Sequence, residues 1–199
     1  MTGLYINTCV ASADDTPATA DTVKIYQGTH IRLDLFNPIA QPILSKGLNQ
    51  GYEMAVNVRL KDRFYPTLEL GYACSGQHPD SLYYFGQGGF ARVGLDINGL
   101  KRHKERLDAL LIGVRIGTSL QDYYIDKDRL FRADCWGEVV AGCQVRIAKG
   151  FMMGWAIRMQ FLMTETQKEG QPHVPYYIPG FGEREAMSWG GNYYIGYFF

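Results

Sequence analysis

Phe151-Met152-Met153-Gly154-Trp155-Ala156-Ile157-Arg158-Met159-Gln160-Phe161 alternates with a period of two. Phe151, Met153, Trp155, Ile157, Met159 and Phe161 share one face, and Gly154, Ala156, Arg158 and Gln160 share the other. An extended chain sends successive side chains to opposite sides, so this pattern predicts a β-strand with one apolar and one polar face. A helix would instead bring Arg158 onto the side of Trp155 and Phe161, at a spacing of three.

The same period recurs along the chain from His30 onward. Ile31, Leu33 and Leu35 oppose Arg32 and Asp34; Tyr52, Met54, Val56, Val58 and Leu60 oppose Glu53, Ala55, Asn57 and Arg59. Leu68, Leu70 and Tyr72 oppose Thr67, Glu69 and Gly71, and Val93, Leu95 and Ile97 oppose Arg92, Gly94 and Asp96. Leu110, Ile112, Val114 and Ile116 oppose Gly113, Arg115 and Gly117; Val139, Ala141, Cys143, Val145 and Ile147 oppose Glu138, Gly142, Gln144 and Arg146. The last segment sets Tyr193, Ile195, Tyr197 and Phe199 against Asn192, Tyr194 and Gly196. These segments predict about eight strands.

The connections alternate in length. Residues 37–50, 75–88, 121–134 and 164–188 read as long, whereas 61–63, 98–108 and 148–150 read as short or moderate turns. Long loops at one end and short turns at the other are how up-and-down barrels of bacterial outer membranes are built. The expected fold is therefore all-β: a single antiparallel up-and-down transmembrane β-barrel over residues 30–199, with both termini on the periplasmic side.

Composition agrees with this reading. The 20 Lys+Arg balance the 20 Asp+Glu, and the longest basic run is Lys101-Arg102-His103-Lys104, so no nucleic-acid footprint is present. No stretch approaches the roughly 18 apolar residues of a membrane helix. Fourteen Tyr, 10 Phe and 3 Trp, with large apolar residues such as Met152, Met153, Met159 and Met163 crowded in one strand, suit a lipid-facing surface with aromatic girdles. The polar face carries Arg32, Arg59, Arg92, Arg115, Arg146 and Arg158 against Asp34, Glu53, Glu69, Asp96 and Glu138. In a barrel of about eight strands these side chains fill the lumen, and the expectation is a plugged, charge-paired interior made roomy by glycines. The alternative is a soluble, lipocalin-like ligand-binding barrel with the aliphatic face inside.

At the start, Ala11-Ser12-Ala13 has the form of a signal-cleavage site, so residues 1–13 are expected to be the remnant of a signal peptide and 14–29 a short flexible lead-in. Cys9 sits in a poor lipid-attachment context. The aromatic closing segment with Phe199 is the expected insertion signal, read by the barrel-insertion machinery.

The chain resembles an uncharacterised family of small Bacteroidota outer-membrane barrel proteins, known only as a domain of unknown function. The likeness is most specific in Tyr176-Tyr177-Ile178-Pro179-Gly180-Phe181-Gly182 followed by Trp189 and the closing Tyr-Ile-Gly-Tyr, in Glu138-Val139-Val140-Ala141-Gly142, and in Gly51-Tyr52-Glu53. The resemblance implies location and fold; it implies no activity and no catalytic residues.

Ser75, His78, Asp80 and Ser81 form the nearest approach to a hydrolytic constellation, but His-Pro-Asp-Ser is also an ordinary exposed turn. His173 lies between prolines, and none of the four His has ligand spacing, so no metal or cofactor is expected. Cys74 and Cys135 are expected to be reduced thiols, and Cys143 a small hydrophobe. Tyr176, Tyr177, Pro179 and Phe181, in the last long loop, are either a lid over the barrel mouth or a partner-binding surface. The expected role is a structural or accessory subunit of an outer-membrane complex, in contact with outer-membrane lipid, with a rim-type lipid- or lipopolysaccharide-modifying enzyme as the alternative.

Overall fold

Each alternating segment is a strand, and the strands pair in chain order. The structure, a computed structural model, describes residues 25–44, 49–61, 63–77, 84–100, 108–125, 128–164 and 176–199. Its elements are β1 (Tyr26–Asp34), α1 (Phe36–Leu44), β2 (Asn49–Leu60), β3 (Phe64–Gln77), β4 (Tyr84–Asn98), β5 (Ala109–Ile125), β6 (Asp128–Arg146), β7 (Phe151–Leu162), β8 (Tyr177–Ile178), β9 (Gly182–Glu183) and β10 (Met187–Phe198). β1 to β7 and β10 close into one eight-stranded barrel in the order β1-β10-β7-β6-β5-β4-β3-β2. Every pairing is antiparallel, and the closing pair runs from His30↔Phe198 to Asp34↔Tyr194. No described helix is long and apolar enough to cross a membrane, which says nothing about strands.

The faces are now decided. Val93, Ile112, Val114, Ile116, Ile157 and Trp155 are exposed on the outside, while Arg32, Glu53, Glu69, Arg92, Arg115, Glu138 and Arg158 are buried inside. This overturns the lipocalin-like alternative, which needed the aliphatics in the lumen. The outward apolar run extends from Tyr52 to Leu60 in β2, from Phe64 to Tyr72 in β3 and from Phe151 to Phe161 in β7. Those spans match the roughly 9–11 residues a tilted strand needs to cross a bilayer. Aromatic residues mark both ends of the band: Phe151, Tyr197 and Phe199 stack edge to face near the turns, with centroids 5.0 and 4.8 Å apart, and Tyr52 lies opposite Tyr72 near the mouth.

Several expectations need correction. Met152 does not join the outer surface; it points inward and is fully buried, as is Trp136. β1 begins at Tyr26, inside the stretch expected to be a lead-in. Residues 121–134 are not a long loop, because β5 pairs with β6 as far as Ile125↔Asp128 and the hairpin continues as strand. The alternation is weaker there in hydrophobicity, since Gln121, Asp122, Asp128 and Arg129 interrupt it. The first long connection contains α1, which spacing did not reveal because the nine residues hold two prolines, Pro38 and Pro42. The segment 1–24, with Cys9 and the proposed cleavage site, lies outside the described residues.

Glycines on the inner face make room where long side chains cross. A Cβ at Gly117 would strike the Trp136 ring, and one at Gly94 would strike the aliphatic stem of Arg115 and the backbone beside it. The barrel is lopsided: β1 has 9 residues, β5 17 and β6 19. At ~3.3 Å per residue, β6 outruns a tilted crossing of the apolar band, so the β5–β6 end, flanked by β4 at Tyr84↔Ile125 and by β3 at Gln77↔Tyr84, rises above β7 as a fin of the barrel wall.

Candidate functional site

The lumen is filled in two tiers. The lower tier is a charge layer built by inward positions of β1 to β7. Glu69 of β3 is its hub: Arg32 lies 3.5 Å away, Arg92 3.1 Å, Arg158 3.2 Å, and Arg115 is also in contact. Arg92 also reaches Glu53 at 2.8 Å and Glu138 at 2.8 Å. Arg115 donates to Asp96 at 2.7 Å, and Arg158 lies 3.4 Å from Glu53 and 3.5 Å from Glu138. Four guanidiniums thus meet four carboxylates, and the layer is neutral as a unit. Neutrality matters because an unpaired charge in such a place carries the full cost of desolvation. Aromatic faces complete the shell, with Arg32 over Tyr194 at 4.6 Å and Arg92 over Phe90 at 4.5 Å.

Most of the residues expected in an interior network are brought together here. Asp34, though buried, caps α1: its carboxylate accepts the backbone N–H groups of Asn37, at 2.9 Å, and Phe36, at 3.3 Å. Arg59 is buried nearer the turns, close to His30. Arg146 does not face the network; it is exposed at the turn end of β6, where its backbone N–H donates to Asp108 at 2.9 Å.

The upper tier is a stopper. β8 and β9 form a two-residue hairpin, Tyr177↔Glu183 and Ile178↔Gly182, that descends into the mouth. Ile178, Phe181 and Tyr177 pack into a buried cluster with Ala73, Tyr84, Phe90, Tyr123, Ile125 and Trp136. Phe181 meets Trp136 edge to face at 5.8 Å. Gly180, at φ +81°, turns the hairpin tip so that its carbonyl accepts from Arg92 Nη2 at 2.5 Å and from Gln160 Nε2 at 3.0 Å. The stopper therefore rests on the charge layer. At the rim, Arg184 binds Asp134 at 2.5 Å, and Thr164 and Gln121 each donate to the same carboxylate at 2.7 Å.

This settles what the last loop's aromatics do. Tyr177, Pro179 and Phe181 are buried in the mouth and are not an open partner surface; of the four, only Tyr176 is exposed. Burial pushes the Tyr177 phenol up to about 12. Ser75 is fully buried and hydrogen-bonds Asn49 at 2.6 Å, while His78, Asp80, Ser81 and His173 lie outside the described residues. Cys74, Cys135 and Cys143 are free thiols. Among the described residues no group of His, Cys, Asp and Glu is placed to hold a metal ion.

Sequence reading missed Trp136, Asp134, Gln160, Asn192 and Arg184. Gln160 and Asn192 fell on the polar face and were available to the same reasoning, since neutral amides complete a charge layer: Gln160 donates to Glu138 at 2.8 Å, and Asn192 contacts Arg158. Arg184 carried no signal, because it acts from an irregular loop.

The molecule is thus a closed β-barrel, apolar outside and charge-paired inside, whose mouth is filled by its own hairpin. The chain belongs to the family described as Domain of unknown function (DUF6048), whose model matches residues 1–199. No curated protein matches the chain.

Proposed function

We propose that this protein is an outer-membrane β-barrel with a sealed lumen, acting as a structural or accessory subunit that presents its fin to a partner. The observation that carries the membrane reading is the continuous apolar outer band over a buried charge layer, the reverse of a water-soluble barrel. Insertion then falls to the barrel-insertion machinery, with lipid around the band. The partner reading rests on the fin. β6 pairs with β7 only from Trp136 onward, whereas its pairing with β5 continues to Asp128. Residues 128–134 therefore keep a sheet edge with no strand on its second side among the described residues, and Phe131 on that edge is 71% exposed. A free edge beside an exposed aromatic is a template for strand addition.

The test is fractionation of cells expressing the full reading frame, followed by gel migration with and without boiling. An outer-membrane band that shifts on heating supports the barrel reading; a soluble, unshifted protein overturns it. Mild detergent extraction with cross-linking tests the partner role. A larger species that Phe131→Asp reduces to monomer supports it, and a monomer in the unaltered protein sinks it.

A further inference from the structure

The barrel wall has one weak place. β1 stops at Asp34, where its ladders end at Leu33↔Met54 and Asp34↔Tyr194. β2 and β10 both extend further toward the mouth, as far as Asn49 and Met187. α1 lies in the space between them and packs on both. A helix uses its backbone hydrogen bonds internally, so at this seam the wall is closed by side chains alone.

Two cavities meet there. Inside the seam is a cleft of about 320 Å³ whose floor is Glu53, Arg92, Arg158, Gln160 and Asn192. Tyr52, Tyr177 and Trp189 give it aromatic walls. Outside is a shallow groove of about 540 Å³, lined by Leu33, Leu35, Met54, Leu70 and Tyr72. Tyr52 and Glu53 line both, so a polar chamber and an apolar groove adjoin through the seam. The cleft volume lies at the lower end of the ~300–1,000 Å³ usual for small-molecule sites.

We propose that the seam binds one zwitterionic lipid, its head in the cleft and an acyl chain along the outer groove. The charge logic selects the head. Glu53 lies 2.8 Å from Arg92 and 3.4 Å from Arg158, so both signs stand side by side on the floor. Because the layer beneath is already balanced, a head with net charge would leave an excess, whereas a phosphate and an ammonium together can each take an opposite partner. Arg158 Nε is buried without a hydrogen-bond partner among the described residues, a donor that a phosphate oxygen suits. On the outside, Ile39 and Ile43 of α1 are 58% and 74% exposed, so the helix offers lipid an apolar face at the same level.

This proposal rests on the outer band facing lipid, and its test separates the two. The full chain, purified in detergent and shown to shift on heating, is mixed with lysophosphatidylethanolamine or lysophosphatidylglycerol of equal chain length and examined by native mass spectrometry. The expected result is one zwitterionic lipid per barrel, held about tenfold more tightly than the anionic one. Gly51→Leu fills the cleft: its Cβ would meet Ala73 and Asn37 at ordinary distances of 3.5 and 3.6 Å. It should keep the heat shift and lose about tenfold in lipid retention. If it does not fold, Gly190→Ala, on the inward face beside Asn192, whose Cβ would press on the flexible stem of Arg158 at 2.9 Å, carries the same test. No bound lipid, equal retention of both lipids, or undiminished retention in a folded cleft-filled variant overturns the proposal. A chain that never shifts on heating overturns the membrane reading instead.

Discussion

Replacing Glu69 with Gln tests whether the lumen behaves as one electrostatic unit. The substitution keeps the shape and removes the one carboxylate in contact with Arg32, Arg92, Arg115 and Arg158. Arg92 and Arg158 each retain Glu53 and Glu138, and Arg115 retains Asp96. Arg32 keeps the Tyr194 face but loses the ion pair it made with Glu69. One buried positive charge is then left without a counter-charge. Removing one partner of a buried pair costs about 3–5 kcal/mol, and because three of the four arginines keep a carboxylate, the expected loss is at the lower end, about 3 kcal/mol. Urea unfolding in lipid vesicles, followed by tryptophan emission, reads it as a midpoint about 1.5 M lower for a slope of about 2 kcal/mol/M. Pairing the change with Arg32→Gln restores neutrality, so the double variant should be less destabilised than the sum of the singles by more than about 1 kcal/mol. Additive effects, or a loss below about 1 kcal/mol from Glu69→Gln alone, would mean that water screens the layer and the reasoning is wrong.

Three further outcomes follow from the same structure. Phe181→Ala removes the ring that meets Trp136 at 5.8 Å; a buried Phe→Ala change costs about 3–5 kcal/mol, and because the hairpin can leave alone, limited proteolysis should cut within 176–186 while the heat shift persists. Val114→Arg, at a position 62% exposed in the middle of the outer band, should cost about 2–4 kcal/mol in a bilayer and reduce insertion into vesicles, whereas a neutral result would contradict lipid contact. Tyr177 is held neutral by burial up to about pH 12; a raised acid pKa gives stability that is whole below the ordinary tyrosine value of about 10 and lost as pH rises toward 12. The same 176–186 proteolysis should therefore accelerate between those pH values, and Tyr177→Phe should abolish that acceleration.

The barrel was legible because alternation survives along whole strands. Leu110 to Gly117 places four apolar residues outward and Gly113, Arg115 and Gly117 inward, and no other regular element satisfies that order. Alternation has no sign of its own; the balanced charges on one face and the large apolar residues on the other pointed to a charged lumen, and the closed barrel buries those charges. What stayed hidden was three-dimensional in origin. Trp136 carries no mark of its own in the sequence, and its place inside depends on Gly117 across the β5–β6 ladder leaving space for the ring. Asp34 reads as a member of the charge set by period alone, but the strand ends there and its carboxylate serves α1 instead. The stopper was readable as a choice between lid and partner surface, and the choice turned on whether Phe181 found a cavity, which the order of residues does not contain.

The two tiers of the lumen make separate demands on anything that would pass through it. Shortening the last loop so that β8 and β9 are replaced by a few Gly and Ser residues removes the upper tier, and a barrel sealed by its stopper alone would then conduct. The charge layer below makes the opposite prediction. The space left among Arg32, Glu53, Glu69, Arg115, Arg158 and Asn192 is about 20 Å³. A single water needs about 10–15 Å³ by this kind of measure, so this gap holds roughly one water. Each charged group in it is neutralised by a neighbour within about 3.5 Å, and an entering ion would have to break a pair without displacing net charge. The loop-shortened barrel in a planar bilayer should therefore stay silent at moderate voltage and moderate salt. Conductance should appear only when the layer is also thinned, as in the same barrel carrying Glu69→Ala with Arg115→Ala, which removes one charge of each sign. Stable conductance steps from the loop-shortened barrel alone would show that the stopper is the gate and that the charge layer yields to water.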